Sequence, residues 1–375
     1  MVYYREYIAR ALLDLGAREN VPLADLVSFR VGGPAAFVLQ PKGEEELCRA
    51  LALCREEHVP VLLLGNGTNV LPSDEGSRGL VIQLSGDDRS PVFEGEKVVA
   101  GAGCSLTALA KESVQRGLMG LERLCGIPGT VGGAVAMNAG AYGGEIKTAL
   151  RRVRVYRDGA FLWEDARLEE MGYRKSPYTW PGTIVSAVEL QLLPDDGTAA
   201  ATMADCMKKR REKQPLSLPS AGSTFKRPEG HFAGALIEGC GLKGCTIGGA
   251  QVSELHAGFI VNRGGATAGD IEALMRHVQD VVFNETGVHL EPEVKRLEDL
   301  TFIFRSSPAF AVRSRAPPST RWRSWATTAW TTCRPPCCRP SWRCATMLSP
   351  PSSGRRWLWT AGKVCCPPVP RTRWT

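Results

Sequence analysis

The stretch Gly126-Ile127-Pro128-Gly129-Thr130-Val131-Gly132-Gly133-Ala134-Val135-Ala136-Met137-Asn138-Ala139-Gly140-Ala141-Tyr142-Gly143 decides how this chain is read. Glycine at this density leaves backbone N–H groups exposed and lets another group come close, which is how a loop cradles a phosphate or diphosphate. Two shorter stretches have the same character. Leu64-Gly65-Asn66-Gly67-Thr68-Asn69-Val70-Leu71 directly follows a short apolar run, Val61 to Leu64, that fits a buried strand. Ser28-Phe29-Arg30-Val31-Gly32-Gly33-Pro34 precedes another strand. None of the three is a GxGxxG opening a helix or a GxxxxGK[ST], so ordinary Rossmann and P-loop nucleotide sites are disfavoured. Taken singly, each is as well explained by a set of tight turns.

Around these loops, helix-like and strand-like segments alternate. Residues 4 to 15, Glu44 to Glu57 and Leu106 to Arg116 carry apolar residues at helical spacing, the last after Ser105 as a cap. Leu80 to Leu84, Lys97 to Ala100, Leu150 to Tyr156 and Thr183 to Leu192 read as strands. Ala199 to Lys213 is a helix ending in the cationic run Lys208-Lys209-Arg210-Arg211-Glu212-Lys213, which is either a solvated end favoured by the helix dipole or a site for anions. Thr267 to Thr286 is the most regular helix. Thr267 and Asp270 suit a capping box, Ile271, Leu274, Met275, Val278, Val281 and Val282 form one stripe, and Gly287 ends it.

Charge divides the chain in two. Of 46 Lys+Arg and 39 Asp+Glu, residues 301 to 375 hold thirteen basic residues and no acidic one, so the first 300 residues carry a net charge of −6. An acidic body without a basic stripe is a poor nucleic-acid binder, and no apolar run approaches the roughly 18 residues needed to span a bilayer. No membrane association and a cytoplasmic location are therefore expected. The seven body cysteines are odd in number and scattered, which reads as reduced thiols and no metal site. The last segment is rich in Arg, Trp, Pro and Cys, has no amphipathic period, and reads as a GC-rich gene translated in a shifted frame from between about Lys295 and Arg305. Its alternative is a basic, tryptophan-rich arm for nucleic acid or membrane.

Together, G-N-G-T-N-V-L and, about sixty residues on, G-I-P-G-T-V-G-G-A-V-A-M-N-A-G resemble the flavin-binding half of the vanillyl-alcohol oxidase and p-cresol methylhydroxylase superfamily. Within it, the wording resembles the UDP-N-acetylenolpyruvoylglucosamine reductase family from about Asn20 to Lys295. The resemblance implies an α+β fold: an N-terminal helix (1–19), a flavin-binding domain of two subdomains of the p-cresol methylhydroxylase type (20–197), a smaller α+β C-terminal substrate domain (198–298), and a non-native or disordered tail (299–375). It implies non-covalent FAD held by Arg30, Gly32, Gly65, Asn66, Gly67, Thr68, Asn69, Val70, Ile127, Pro128, Gly129, Thr130, Gly132, Gly133, Ala134 and Asn138. Few residues separate Tyr178 from the strand near Thr183, so the chain is similar to the family's short form, which lacks a tyrosine-bearing lid.

Three further segments, Gly172-Tyr173-Arg174-Lys175-Ser176-Pro177-Tyr178, Ser220 to Pro228, and Leu290-Glu291-Pro292-Glu293-Val294-Lys295, match the places where the family keeps its catalytic residues. The resemblance thus makes Arg174, Ser223 and Glu293 the catalytic trio, with Tyr173, Lys226 and Arg227 as substrate contacts. Those residue types suit the chemistry. Reducing an enolpyruvyl ether brings a hydride to one vinyl carbon and a proton to the other, with negative charge gathering on the carboxylate as an enolate that an arginine fork can hold. Serine can deliver the proton to a developing carbanion, while Glu293 polarises the carboxylate if protonated or orients the trio if ionised. The expected partners are UDP-N-acetylglucosamine enolpyruvate and NADPH, and the expected state is a monomer. The residues themselves do not choose between NADPH and NADH; Lys226, Arg227 and Lys208 to Lys213 are the candidates for nucleotide phosphates. The alternatives are another flavin oxidoreductase of the superfamily acting on a small alcohol or hydroxy acid, and a catalytically dead sensor of the UDP-sugar.

Overall fold

The computed structural model describes residues 6–85, 90–157, 159–179 and 183–302. The shifted-frame expectation for the tail therefore lies outside the described residues, apart from its first four. Those four are built into the fold: Glu298–Leu300 is a short 3-10 turn, and Phe302 exchanges backbone hydrogen bonds with Val61 at 2.8 and 2.9 Å.

Two sheets carry the first two thirds. In the first, the order is Arg18–Pro22, Pro34–Leu39, Ser77–Gln83, Val61–Leu64, with the outer pair antiparallel and the rest parallel. Its strands alternate their faces as a period of two requires. Leu62, Leu64 and Val81 face the C-terminal part of the chain, whereas Val61, Leu80 and Ile82 face α1 (Glu6–Asp14) and α2 (Glu44–Glu56). The strand Arg18–Pro22 crosses the boundary expected at 19/20.

The second sheet is antiparallel throughout, ordered Ala160–Asp165, Leu150–Arg157, Val185–Gln191, Lys97–Gly101, Val92–Glu94. Its buried face packs on α3 (Leu106–Gln115) and the short α4 (Val131–Ala136). Ser105 caps α3 as expected, its hydroxyl accepting from the Ala108 N–H at 3.3 Å. The next helix, α5 (Ala199–Lys213), buries Cys206 in this same core, flanked by Met203 and Met207. It lies just past the boundary expected at 197/198, and its few apolar side chains share one face that packs into this core.

The C-terminal part consists of α6 (Ala233–Gly239), a small antiparallel sheet (Thr246–Ile247, Ala250–Val252, Ile260–Asn262) and α7 (Ala268–Thr286). α7 has the expected capping box and ends at Gly287, whose φ of 73° only glycine adopts at no cost. Its stripe of Ile271, Leu274, Met275, Val278 and Val282 is buried, with Val281 at the margin. Two more of its N-terminal donors, the N–H groups of Ala268 and Gly269, are taken by the Asp74 carboxylate at 2.8 and 2.9 Å. Asp74 belongs to the segment after the first flavin loop, so this bond ties the last helix to the first sheet. Packing repeats the tie: one hydrophobic cluster runs from Leu23, Phe29 and Leu64 through Phe225 and Ile260 to Val294 and Leu297.

The chain then returns to the first sheet. Lys295–Arg296 pairs in parallel with Val70–Leu71, while Val294 and Leu297 on either side are buried. The short strand thus lies at the end of the Leu290 to Lys295 segment. Its two cationic residues face outward while their apolar neighbours anchor the segment.

Candidate functional site

The two main glycine loops meet. A side chain at Gly65 would place its Cβ 2.6 Å from Thr130 Oγ1, and one at Gly67, where φ is 62°, would lie 2.2 Å from the Leu26 carbonyl oxygen. Only glycine lets the turn after Val61–Leu64 close on its neighbours. Across from it, Thr130 caps α4, accepting from the Gly133 N–H at 3.2 Å. Between the loops lies a cavity of about 340 Å³, lined by Gly65 to Val70, Ile127 to Thr130, Gly132 to Ala134, and by Tyr178 and Arg174 from the third segment.

Thirteen of the sixteen expected flavin residues line this cavity; Arg30, Gly32 and Asn138 do not. Arg30 is exposed, and Gly32 lies against Pro72. Asn138 is only 1% exposed, and its amide is spent on protein groups: Nδ2 donates to the Gly172 carbonyl at 2.9 Å and to Glu145 Oε2 at 3.1 Å, while Oδ1 accepts from the Lys147 N–H at 3.3 Å.

A second and larger cleft, about 880 Å³, adjoins the first and shares Arg174 with it. Ser223, Glu293, Tyr173 and Arg227 also line it. Arg174 sits in a two-residue turn closed by backbone bonds in both directions between Gly172 and Lys175, and takes a left-handed φ of 54°. Its Nε donates to Glu293 Oε1 at 2.6 Å and its Nη1 to the Gly140 carbonyl at 3.3 Å. Gly140 belongs to a second tight hairpin, Gly140–Ala141 against Gly144–Glu145, with Tyr142 and Gly143 at its tip, both at positive φ.

Ser223 and Glu293 are placed by Thr224, which is fully buried between two segments. The Thr224 N–H donates to the Gly258 carbonyl at 2.8 Å, its hydroxyl accepts from Ile260 N–H at 3.1 Å, and its carbonyl accepts from Glu293 N–H at 2.8 Å. This lays Ser223 beside Phe259 and Phe225 beside Pro292, with the serine exposed to the cleft. The flavin loop joins in through Asn69. Its Nδ2 donates to the Glu293 carbonyl at 3.2 Å, and its own carbonyl accepts from Lys295 N–H at 3.0 Å.

Burial pushes the Glu293 carboxyl above its ordinary value of 4.5, against the pull of the Arg174 guanidinium beside it and the more distant Lys226 and Lys295. Among the expected substrate contacts, Tyr173 and Arg227 meet: the Arg227 N–H donates to the Tyr173 hydroxyl at 3.1 Å, and the Arg227 guanidinium lies 4.6 Å from the centre of the Phe232 ring. Lys226 does not line the cleft; it pairs with Glu291. Of the cationic run, Lys213 reaches the cleft, whereas Lys209 pairs with Asp205 at 2.6 Å.

Sequence reading missed part of the cleft wall. Tyr142, Phe232 and Leu255 are exposed aromatic or apolar residues at its rim, and His256 lines it beside Gly234 and Gly258. His256 Nδ1 accepts from the Gly258 N–H at 3.1 Å, and burial holds its pKa below the usual 6.5, so the ring is neutral with its proton on Nε2. A lone histidine in Ser253-Glu254-Leu255-His256 carries no spacing signal; Phe232, an exposed aromatic beside a Pro-Glu-Gly turn, was the more readable hint.

Residues 214–297 match the family model described as the C-terminal domain of UDP-N-acetylenolpyruvoylglucosamine reductase, and residues 35–160 match an FAD-binding domain. A UDP-N-acetylenolpyruvoylglucosamine reductase of Clostridium botulinum is 45% identical over 304 residues, 79% of this chain and 98% of the relative. One from Clostridioides difficile is 44% identical over 292 residues, 76% and 96% respectively. The crystal structure of the Thermus caldophilus enzyme superposes with a TM-score of 0.64 at 40% identity, covering 75% of this chain and 99% of that one. The chain therefore belongs to the UDP-N-acetylenolpyruvoylglucosamine reductase family.

Proposed function

We propose that this chain reduces the enolpyruvyl ether of UDP-N-acetylglucosamine enolpyruvate to UDP-N-acetylmuramate, the second step of peptidoglycan precursor synthesis, and that Arg174, Ser223 and Glu293 carry the chemistry. The observation that supports it most is the shared arginine: the residue that pairs with Glu293 in the large cleft also borders the glycine-lined cavity. That cavity fits a flavin, since glycine-rich backbone and apolar side chains make much of its wall, Arg174, Lys175 and Lys295 border it, and its loops close only where glycine stands. FAD bound there would supply the two-electron chemistry, with NADPH as its reductant. Gly65 to Val70, Ile127 to Thr130 and Gly132 to Ala134 would hold it.

The residues of the chain do the rest. Arg174 offers the remaining N–H groups of its fork to the substrate carboxylate and so stabilises the enolate that forms when hydride reaches the terminal vinyl carbon. Ser223 donates its hydroxyl proton to the other vinyl carbon, and the alkoxide left behind regains a proton from solvent or a neighbour. Glu293 keeps the arginine in line and, on taking up a proton, becomes a donor to the same carboxylate. Tyr173 and Arg227 close over the cleft, and Lys213 is the cation from α5 placed to meet a nucleotide phosphate.

In this reading the flavin portion is 20–197 and the substrate portion 198–298, the chain is the short form without a tyrosine lid, and the enzyme is a cytoplasmic monomer; sedimentation and cell fractionation test the last point. Among the described residues no helix is long and apolar enough to cross a membrane. The deciding experiment is anaerobic spectroscopy. The purified protein is expected to show flavin absorbance that NADPH bleaches and that UDP-N-acetylglucosamine enolpyruvate restores. Bleaching without restoration by the sugar, but with restoration by oxygen and activity on a hydroxy acid, would move the chain to another flavin oxidoreductase; a colourless protein that binds the sugar would be a sensor.

A further inference from the structure

The motif Met137-Asn138-Ala139-Gly140 reads as part of the flavin loop, yet the Asn138 side chain faces away from that cavity and into the turn that carries Arg174. The Gly172 carbonyl already closes the turn by accepting from the Lys175 N–H at 3.1 Å; Asn138 Nδ2 adds a second bond to the same oxygen. The other Nδ2 proton goes to Glu145, which also meets Lys147 at 3.4 Å, and Lys147 Nζ donates to the carbonyl of Met171, next in the chain. Two carbonyls in succession, Met171 and Gly172, are thus fixed by one network built on the buried Asn138 and the half-buried Glu145 and Lys147. On the far side the Arg174 fork holds the Gly140 carbonyl, two residues beyond Asn138.

This arrangement has a purpose that packing alone does not need. Arg174 is held in a left-handed backbone conformation that a long side chain adopts at a cost, so something must hold the turn. Asn138 itself sits at a left-handed φ of 45°, which asparagine tolerates better than most residues, and this aims its amide at Gly172.

We propose that Asn138 is a positioning residue for Arg174: it clamps the Gly172–Lys175 turn so that the guanidinium meets Glu293 and the substrate carboxylate, and it does not hold the flavin. This rests on the reading of Arg174 above, and the test separates the two. Asn138→Gly deletes the amide while accepting the backbone conformation; Asn138→Asp keeps the shape but turns two donors into an acceptor facing Glu145. Both variants, and Arg174→Lys beside them, are purified as holoenzyme. FAD affinity is then measured together with flavin reduction by NADPH and flavin re-oxidation by UDP-N-acetylglucosamine enolpyruvate.

The expected result for the Asn138 variants is unchanged FAD affinity, near wild-type reduction by NADPH, and re-oxidation by the sugar slowed roughly 10- to 100-fold, as for a misplaced orienting group, with kcat falling more than KM rises. Weakened FAD binding with both half-reactions impaired alike would return Asn138 to the cofactor ligands and overturn the proposal. If Arg174→Lys slows re-oxidation but both Asn138 variants behave as wild type, the clamp falls and the role of Arg174 stands. If Arg174→Lys is itself unimpaired, the role of Arg174 falls, and the clamp with it.

Discussion

The glycine-lined cavity and the larger cleft adjoin each other but are made in opposite ways. The cavity is a backbone construction, two contiguous loops whose glycines permit contact that no side chain could share. The cleft is a side-chain construction, drawn from Arg174, Ser223 and Glu293, which lie 49 and 70 residues apart in the chain; Thr224 joins the segments of Ser223 and Glu293, and Arg174 is held to Glu293 by its own ion pair. A backbone site fails by steric exclusion, all at once. A side-chain site loses one function at a time and leaves its neighbours working.

Substitutions are expected to sort accordingly. Gly67→Ala should have the largest effect, because its Cβ would lie 2.2 Å from the Leu26 carbonyl and 2.8 Å from Val27 Cα, both backbone atoms. The expected product is protein without bound flavin or without solubility, read by absorbance and gel filtration; a yellow, fully loaded variant would break the contrast. Ser223→Ala should keep the flavin and its reduction by NADPH while slowing re-oxidation by the sugar roughly 100-fold or more, the scale of a lost general acid. Stopped-flow absorbance measures both, and equal loss in the two half-reactions would remove Ser223 from proton donation.

A smaller effect is expected on stability against pH. Because burial raises the Glu293 pKa, the folded protein holds this proton more tightly than the unfolded chain does. The stabilisation is complete below the ordinary value of 4.5 and is lost as pH rises through the raised folded value. Thermal midpoints of wild type and Glu293→Gln, followed upward from about pH 4 across that window, should diverge, with the wild type losing more; parallel curves would mean that the carboxyl is unperturbed. Smallest of all, Thr267→Ala should cost about 1 kcal/mol of stability through the α7 capping box and leave both half-reactions alone, as chemical denaturation and turnover would show.

What was legible in the sequence follows the same contrast. The cavity loops are written in consecutive residues, and α7, with Thr267, Asp270 and Gly287 in place, announces both its ends. The cleft is not contiguous: its trio could be named only by likeness to a family, since Arg after Tyr, Ser after Gly and Glu after Pro are each ordinary alone. Asn138 shows the deeper difficulty. In a loop motif an asparagine that touches the ligand and one that braces a neighbouring turn look the same, and only the direction of its amide separates them. The side on which α5 packs was hidden for a related reason, because a helix with three adjacent apolar residues on one face does not say which core receives them.

One bond described above bears on the order in which the chain is made. The first flavin loop lies near residue 65, yet Asn69 is secured by Glu293 and Lys295, and the segment just after the loop is tied through Asp74 to Ala268 and Gly269. During synthesis the loop emerges early and waits for more than two hundred residues before these partners arrive. The bracing of this loop is therefore complete only once the chain has been made as far as Lys295, so an early segment takes its final support from the last part of the fold.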